Sequence, residues 1–295
     1  MGKKDHYIPQ TIQRRFSADG HSVASYNFGK NEIYPVNPIN NNLKKNNLYQ
    51  RIFNGKKDKE IDEIFKPYES KIKDILDELS SINYIKLNPN LSVIDKYYLD
   101  KFIAQLASRT VNSFEYYYRR TKSIAAEVGY QISDFDWQML EIVSQINMYV
   151  NGIPRGRLLG KKQFVIDHTQ RVQKRLESMN LAIVHNMTNA EFVLLDDPVI
   201  SKYWFKLENY FPQIANIIKS DRFVLIVLDP KIALLYHQDF SKPDYTVVYI
   251  QNEINHIYSI NVMLAILSNA KSAHGNIKSL RELQKVRNHL KKDEE

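Results

Sequence analysis

Phe223-Val224-Leu225-Ile226-Val227-Leu228, then Asp229-Pro230-Lys231, then Ile232-Ala233-Leu234-Leu235-Tyr236: two short branched runs flank three turn-forming residues. Pro fixes φ near about −65° and an Asp side chain bonds its own backbone two residues on, so this pair starts a tight reversal. The stretch predicts an antiparallel hairpin. Leu181–Val184, Phe192–Leu195 and Thr246–Ile250 share its character, so 179–250 is expected to be rich in strands.

Upstream the period changes from two to three and four. Ile61, Ile64, Phe65, Tyr68, Ile72, Ile75, Leu76 and Leu79 form one amphipathic face. Tyr98, Phe102, Ile103, Leu106, Thr110 and Phe114 repeat it after Asn88-Pro89-Asn90. Met139, Ile142, Val143, Ile146 and Tyr149 give a third stripe, closed by Asn151-Gly152-Ile153-Pro154. At the N-terminus, Val23–Phe28 and Glu32–Val36 alternate around Gly29-Lys30-Asn31, a second predicted hairpin. Ile254–Leu267 and a basic helix from about residue 278 to 290 close the chain. Strands and helices come in blocks, so the expected class is α+β in a single domain over 1–295. Its parts are a motif and hairpin (1–54), a helical part (55–178), an antiparallel strand-rich part (179–250) and C-terminal helices (251–295).

The 295 residues carry 41 Lys+Arg against 33 Asp+Glu, a formal charge of +8, and 43% are hydrophobic, enough for a sizeable core. Zero cysteines exclude disulfides, thiolate zinc sites, iron–sulfur clusters and a Cys nucleophile. No apolar run approaches the roughly 20 residues of a spanning helix, and Met1-Gly2-Lys3-Lys4-Asp5 opens no signal-peptide stretch. A soluble, cytoplasmic protein with no membrane partner is expected. Nine glycines form neither a P-loop nor a dinucleotide fingerprint, so no nucleotide or flavin cofactor is expected, and Gly-x-Ser-x-Gly is absent.

The positive charge is concentrated. Arg155, Arg157, Lys161, Lys162, Arg171, Lys174 and Arg175 give residues 155–177 a charge of +5. Lys271, Lys278, Arg281, Lys285, Arg287, Lys291 and Lys292 give 271–292 a charge of +6, leaving −3 for the remainder. Concentrated Lys/Arg suits phosphate neutralisation, which releases condensed counterions, although a basic helix face is often only solvated.

His6-Tyr7-Ile8-Pro9-Gln10 followed by Arg14-Arg15-Phe16 resembles the opening of the DUF4238 family, uncharacterised bacterial proteins. Further on, Asn47-Leu48-Tyr49, Phe102–Thr110, Leu195-Asp196-Asp197-Pro198-Val199 and Phe223–Leu235 are similar to later family segments. Leu195, Asp196 and Leu228-Asp229-Pro230 depart from them, since hydroxyl residues are usual there. The resemblance implies a fold-level relative and singles out His6, Glu69, Arg109 and Asp197.

Each of these residues has two readings. His6 is a general base, a metal ligand or a phosphate partner, or it pins the N-terminal segment to the core. Asp196 and Asp197, at a predicted strand end, hold a divalent cation together with Glu69, or cap the next turn. Arg109, one helical turn after Gln105, needs a counter-charge: a phosphate, or simply Asp197 or Glu69. His168, His185, His237, His256 and His274 look scattered, with no metal-ligand spacing. The expectation is therefore a metal-dependent nuclease or nuclease-like toxin effector, with anti-phage defence as its suggested setting. Mg²⁺ or Mn²⁺ would sit on Asp196, Asp197 and Glu69, and His6, Arg109 and Asp197 would do the chemistry. The basic segments (Arg155 to Arg175 and Lys278, Arg281, Lys285) would hold DNA or RNA, with a partner protein as a further possibility. The alternative is a non-catalytic module binding nucleic acid or protein, in which the His/Asp/Arg set is a polar network.

Overall fold

The computed structural model describes residues 4–46, 51–53, 56–58, 60–81, 89–127, 131, 161–202, 206–251 and 254–292. The third helical stripe at 139–149, Asn47-Leu48-Tyr49, Arg155 and Arg157 lie outside them.

The Asp229-Pro230-Lys231 reversal is present. Strands β10 (Phe223–Asp229) and β11 (Ile232–His237) pair antiparallel, with Asp229 opposite Ile232, and both are buried along their whole length. Elements covered on both faces account for continuous apolar runs in place of alternation. They form the centre of a five-stranded sheet with β7 (Asn180–Asn186), β9 (Val199–Lys202) and β12 (Thr246–Ile250), in the order β12-β7-β11-β10-β9. The expected antiparallel arrangement holds except at one edge, where β12 runs parallel to β7.

A second, four-stranded sheet has the order β3-β2-β13-β8. The N-terminal hairpin supplies β2 (Ser22–Asn27) and β3 (Glu32–Pro38), with Asn31 at φ 57° in its turn. Its other half comes from far away: β13 (Ser272–Gly275) and β8 (Leu194–Leu195). The run Phe192–Leu195 is thus a strand only at its last two residues and belongs to this sheet, not to that of β10 and β11. Short strands β1 (Lys4–His6) and β4 (Lys44–Asn46) pair with each other, as do β5 (Arg51–Phe53) and β6 (Lys56–Asp58).

The helices are α1 (Gln10–Arg15), α2 (Glu60–Ser80), α3 (Val93–Arg109), α4 (Val111–Glu127), α5 (Lys161–Glu177), α6 (Pro212–Ala215), α7 (Ile254–Leu267) and α8 (Ile277–Lys292). Ser92 and Asp95 close a capping box at the start of α3. Its far end differs from the single period expected over 98–114. Thr110 turns extended (ψ 153°), and its hydroxyl accepts from the Ser113 N–H, ending α3 and starting α4. Two apolar cores result. The larger joins the sheets to α1, α2, α3, α7 and α8; the smaller, Ile61, Phe65, Phe114, Ala125, Phe164 and Val165, lies among α2, α4 and α5.

Candidate active site

Beyond the break at Thr110, α4 shares a cleft with the residue two positions after β8. Asn112, Glu115, Tyr116, Tyr117, Arg119 and Arg120 from α4, His168 from α5, Asp197 beyond β8, and Asn269 and Lys271 from the α7–β13 turn line a cleft of about 550 Å³. A volume of this order is that of small-ligand pockets.

The two adjacent aspartates have different surroundings. Asp196 is committed to the fold: its carboxylate accepts from the backbone N–H of Lys271 at 2.9 Å, and its own N–H donates to the Ser272 carbonyl at 3.2 Å. Asp197 faces the cleft with one weak partner, the Asn112 amide, which also donates to the Asn269 carbonyl at 2.7 Å. Burial, and then the neighbouring Asp196 charge, push the Asp197 carboxyl up to about 6. Burial raises Asp196 as well, opposed by its bonds to Lys271 and Ser272.

His168 is held by hydroxyls. Ser108 Oγ donates to the Ala104 carbonyl (2.7 Å) and accepts from Thr169 Oγ1 (3.1 Å), so its 2.9 Å contact with His168 Nδ1 is an imidazole N–H donating to it. That tautomer leaves the imidazole lone pair on Nε2. Burial, then the charges of Arg171 and Arg175, push the imidazole down to about 4, so it is neutral at pH 7. The Tyr117 ring stacks on Phe164 at 3.8 Å and stands edge-on to His168 at 5.5 Å, and its hydroxyl accepts from Arg171 at 3.2 Å. Lys271 and Lys45 both pair with Glu115, at 3.3 and 3.4 Å. Arg119 and Arg120 are exposed and have no ion pair among the described residues.

His6 and Arg109 come together elsewhere. The Gln10 amide donates to His6 Nε2 at 3.0 Å while its oxygen accepts from Arg14, and the Gln13 amide donates to the Ile8 carbonyl at 2.8 Å. Arg109, 4% exposed, forms an ion pair with Glu69, donates to the His6 backbone carbonyl at 2.9 Å and covers the Phe65 ring at 4.5 Å. Arg109 therefore takes Glu69, one of its expected partners, and not Asp197. Arg15 joins a separate cluster with Asp77, Asp229 and Ser80.

Glu69, spent on Arg109, and Asp196, spent on Lys271 and Ser272, do not combine with Asp197 into one donor set. Among the described residues no three His, Asp or Glu side chains stand close enough to share a metal ion. Of the basic candidates, Arg171, Lys174 and Arg175 are exposed on α5, with Lys162 half-buried on the same helix, and Lys278, Arg281 and Lys285 are exposed on α8. Lys161 begins α5; its side chain lies outside the described set. No described helix is long and apolar enough to cross a membrane.

Of the residues that share this cleft, sequence reasoning singled out Asp197 but not His168, Arg119 or Arg120. The run Tyr116-Tyr117-Tyr118-Arg119-Arg120 carried the signal for the arginines. His168 carried none, because its orientation comes from Ser108, 60 residues away.

The profile of a family described as "Protein of unknown function (DUF4238)" matches residues 4–277. Comparisons with curated proteins and with solved structures give no match. The matched span includes every cleft residue and all of α5, and ends at the first residue of α8.

Proposed function

The chain belongs to the DUF4238 family, and from the chemistry of its cleft we propose that it binds a nucleic acid and cleaves the phosphodiester backbone by acid–base catalysis. The observation that carries this reading is one cleft lined by a neutral histidine, a carboxyl raised towards neutrality and two exposed arginines that have no ion pair among the described residues. Groups whose environments drive their pKa values apart are the usual makings of an acid–base pair.

In the proposed reaction His168 Nε2 takes the proton from the attacking hydroxyl as its oxygen bonds to phosphorus. The protonated Asp197 gives its proton to the leaving 5′-oxygen as the P–O bond breaks. Arg119, Arg120 and Lys271 stabilise the charge gathered on the non-bridging oxygens. RNA suits such a pair best, because its 2′-hydroxyl is an internal nucleophile already beside the phosphorus. The exposed cations of α5 extend the phosphate footprint beyond the cleft. The expected Mg²⁺ or Mn²⁺ site on Asp196, Asp197 and Glu69 does not fit the described side chains, so no step is routed through an ion.

Labelled RNA and DNA strands, incubated with the protein in EDTA and in Mg²⁺ or Mn²⁺, test the reading beside His168→Ala and Asp197→Asn. Each substitution is expected to lower cleavage by about 10²–10⁴-fold, with His6→Ala close to wild type. Cleavage that is lost in His6→Ala and kept in the other two overturns the assignment. Salt-sensitive binding with no cleavage favours the second reading, a binding module, whose supporting observation is the satisfied His6–Arg109–Glu69 network.

A further inference from the structure

We propose that the cleft takes a single-stranded segment, with one base lying on the exposed ring of Tyr116 and the adjoining phosphate between Arg119 and Arg120. This rests on the nucleic-acid reading above and narrows its substrate class.

Three observations lead there. Tyr116 is 60% exposed on the cleft wall, so its ring is open to a ligand. It is also braced: Tyr116 stands edge-on to Tyr117 at 5.4 Å and 83°, and Tyr117 is stacked on buried Phe164 at 3.8 Å. A ring held in this way loses little freedom when a base stacks on it, and every base presents a π-face.

Spacing supplies the second. Arg119 and Arg120 lie three and four residues after Tyr116 on α4, so the three share one helical face. Neither arginine has an ion-pair partner among the described residues, whereas the nearby Lys45 and Lys271 are both engaged by Glu115. An aromatic platform beside two available guanidiniums matches the alternation of base and phosphate along a strand.

Size is the third. A cleft of about 550 Å³ whose floor carries the largely buried Asp197 is on the scale of a small-molecule pocket. A duplex keeps its bases stacked inside, so its phosphates can touch the rim while no base reaches Tyr116 unless it is flipped out. An unpaired strand offers both groups at no unstacking cost.

The test is binding by fluorescence anisotropy of labelled single-stranded RNA, single-stranded DNA and the matching RNA and DNA duplexes, with wild type, Tyr116→Phe and Tyr116→Ala. Single strands are expected to bind at least about tenfold tighter than duplexes. Tyr116→Ala should weaken single strands by about tenfold while leaving duplex binding alone, and Tyr116→Phe should retain wild-type affinity. Equal affinity for both forms, or no effect of Tyr116→Ala, overturns this inference; cleavage dependent on His168 and Asp197 then still supports the function proposed above. Absence of binding to every probe removes both. The RNA and DNA arms separate the two sources of the strand.

Discussion

Arg109 donates to the backbone carbonyl of His6 at 2.9 Å across 103 residues of sequence. The bond uses the main chain of His6 and not its ring. The N-terminal segment is thus fastened by an arginine that is itself held by Glu69 and Phe65.

Removing either member of this ion pair is expected to destabilise the fold. Arg109→Ala should cost about 2–3 kcal/mol, because the His6 carbonyl and Glu69 lose their donor; Glu69 is 32% exposed and recovers some hydration. Glu69→Ala should cost a similar amount by taking the carboxylate away from the buried guanidinium. Urea denaturation of both singles and the double variant should give a coupling of about 1–3 kcal/mol. His6→Ala, which keeps the carbonyl, should stay within about 1 kcal/mol of wild type.

Asp197→Asn should separate stability from activity. The folded carboxyl titrates at about 6 against an ordinary 3.8, so the folded state holds its proton more tightly. Ionising it weakens the fold as pH rises through that window, and the cost is fully present above about pH 6. The amide removes the cost. Urea midpoints are expected to show a gain of about 1–2 kcal/mol at pH 8 that vanishes below the unfolded value, while cleavage is lost.

The pH profile of cleavage should be bell-shaped. His168 is a competent base above its value of about 4, and Asp197 is a competent acid below about 6. Initial rates should therefore peak near pH 5 and fall about tenfold per unit below about pH 4 and above about pH 6. A rate that rises steadily through pH 8 would remove Asp197 as the acid.

Acid should unfold the protein through buried imidazoles. His274 lies between Asn42 and Ser272, at 3.1 and 3.0 Å, and burial pushes it down to about 3. A depressed histidine contributes stability above its ordinary 6.5 that is lost as pH falls towards the folded value, at ~1.4 kcal/mol per unit. His168 acts in the same direction between 6.5 and about 4. His274→Asn should lower the urea midpoint at pH 7 and flatten its decline between pH 6.5 and 4.

Salt dependence should locate the phosphate contacts. Each Arg119→Gln or Arg120→Gln change is expected to reduce the slope of log K against log salt by about 0.7 for a single strand. Charge removal at Lys278, Arg281 and Lys285 on α8 tests whether that exposed face touches the strand as well, by the same measurement.

What was legible in the sequence was local. Asp229-Pro230-Lys231 specified the β10–β11 reversal, and the spacing from Ile61 to Leu79 specified α2, because turn chemistry and helical period need only neighbouring residues. The seating of β13 was not, since four residues, Ser272–Gly275, carry no alternation and gain their strand character only by lying between β2 and β8. The site divides along the same line. A strand end before Pro198 pointed to Asp197, whereas the role of His168 depends on Ser108 and that of Asp196 on the Lys271 backbone, contacts between distant segments.

The strand at Ser272–Gly275 also sets a timetable. A ribosome releases the chain from its N-terminus at roughly 5–20 residues per second, so β2 waits roughly 10–50 s for the partner that completes its sheet. Asn269 and Lys271, which close the cleft around Asp197, emerge just ahead of that strand. A nascent chain therefore lacks the finished cleft until this strand has been made, and whatever chemistry the cleft performs begins only after that.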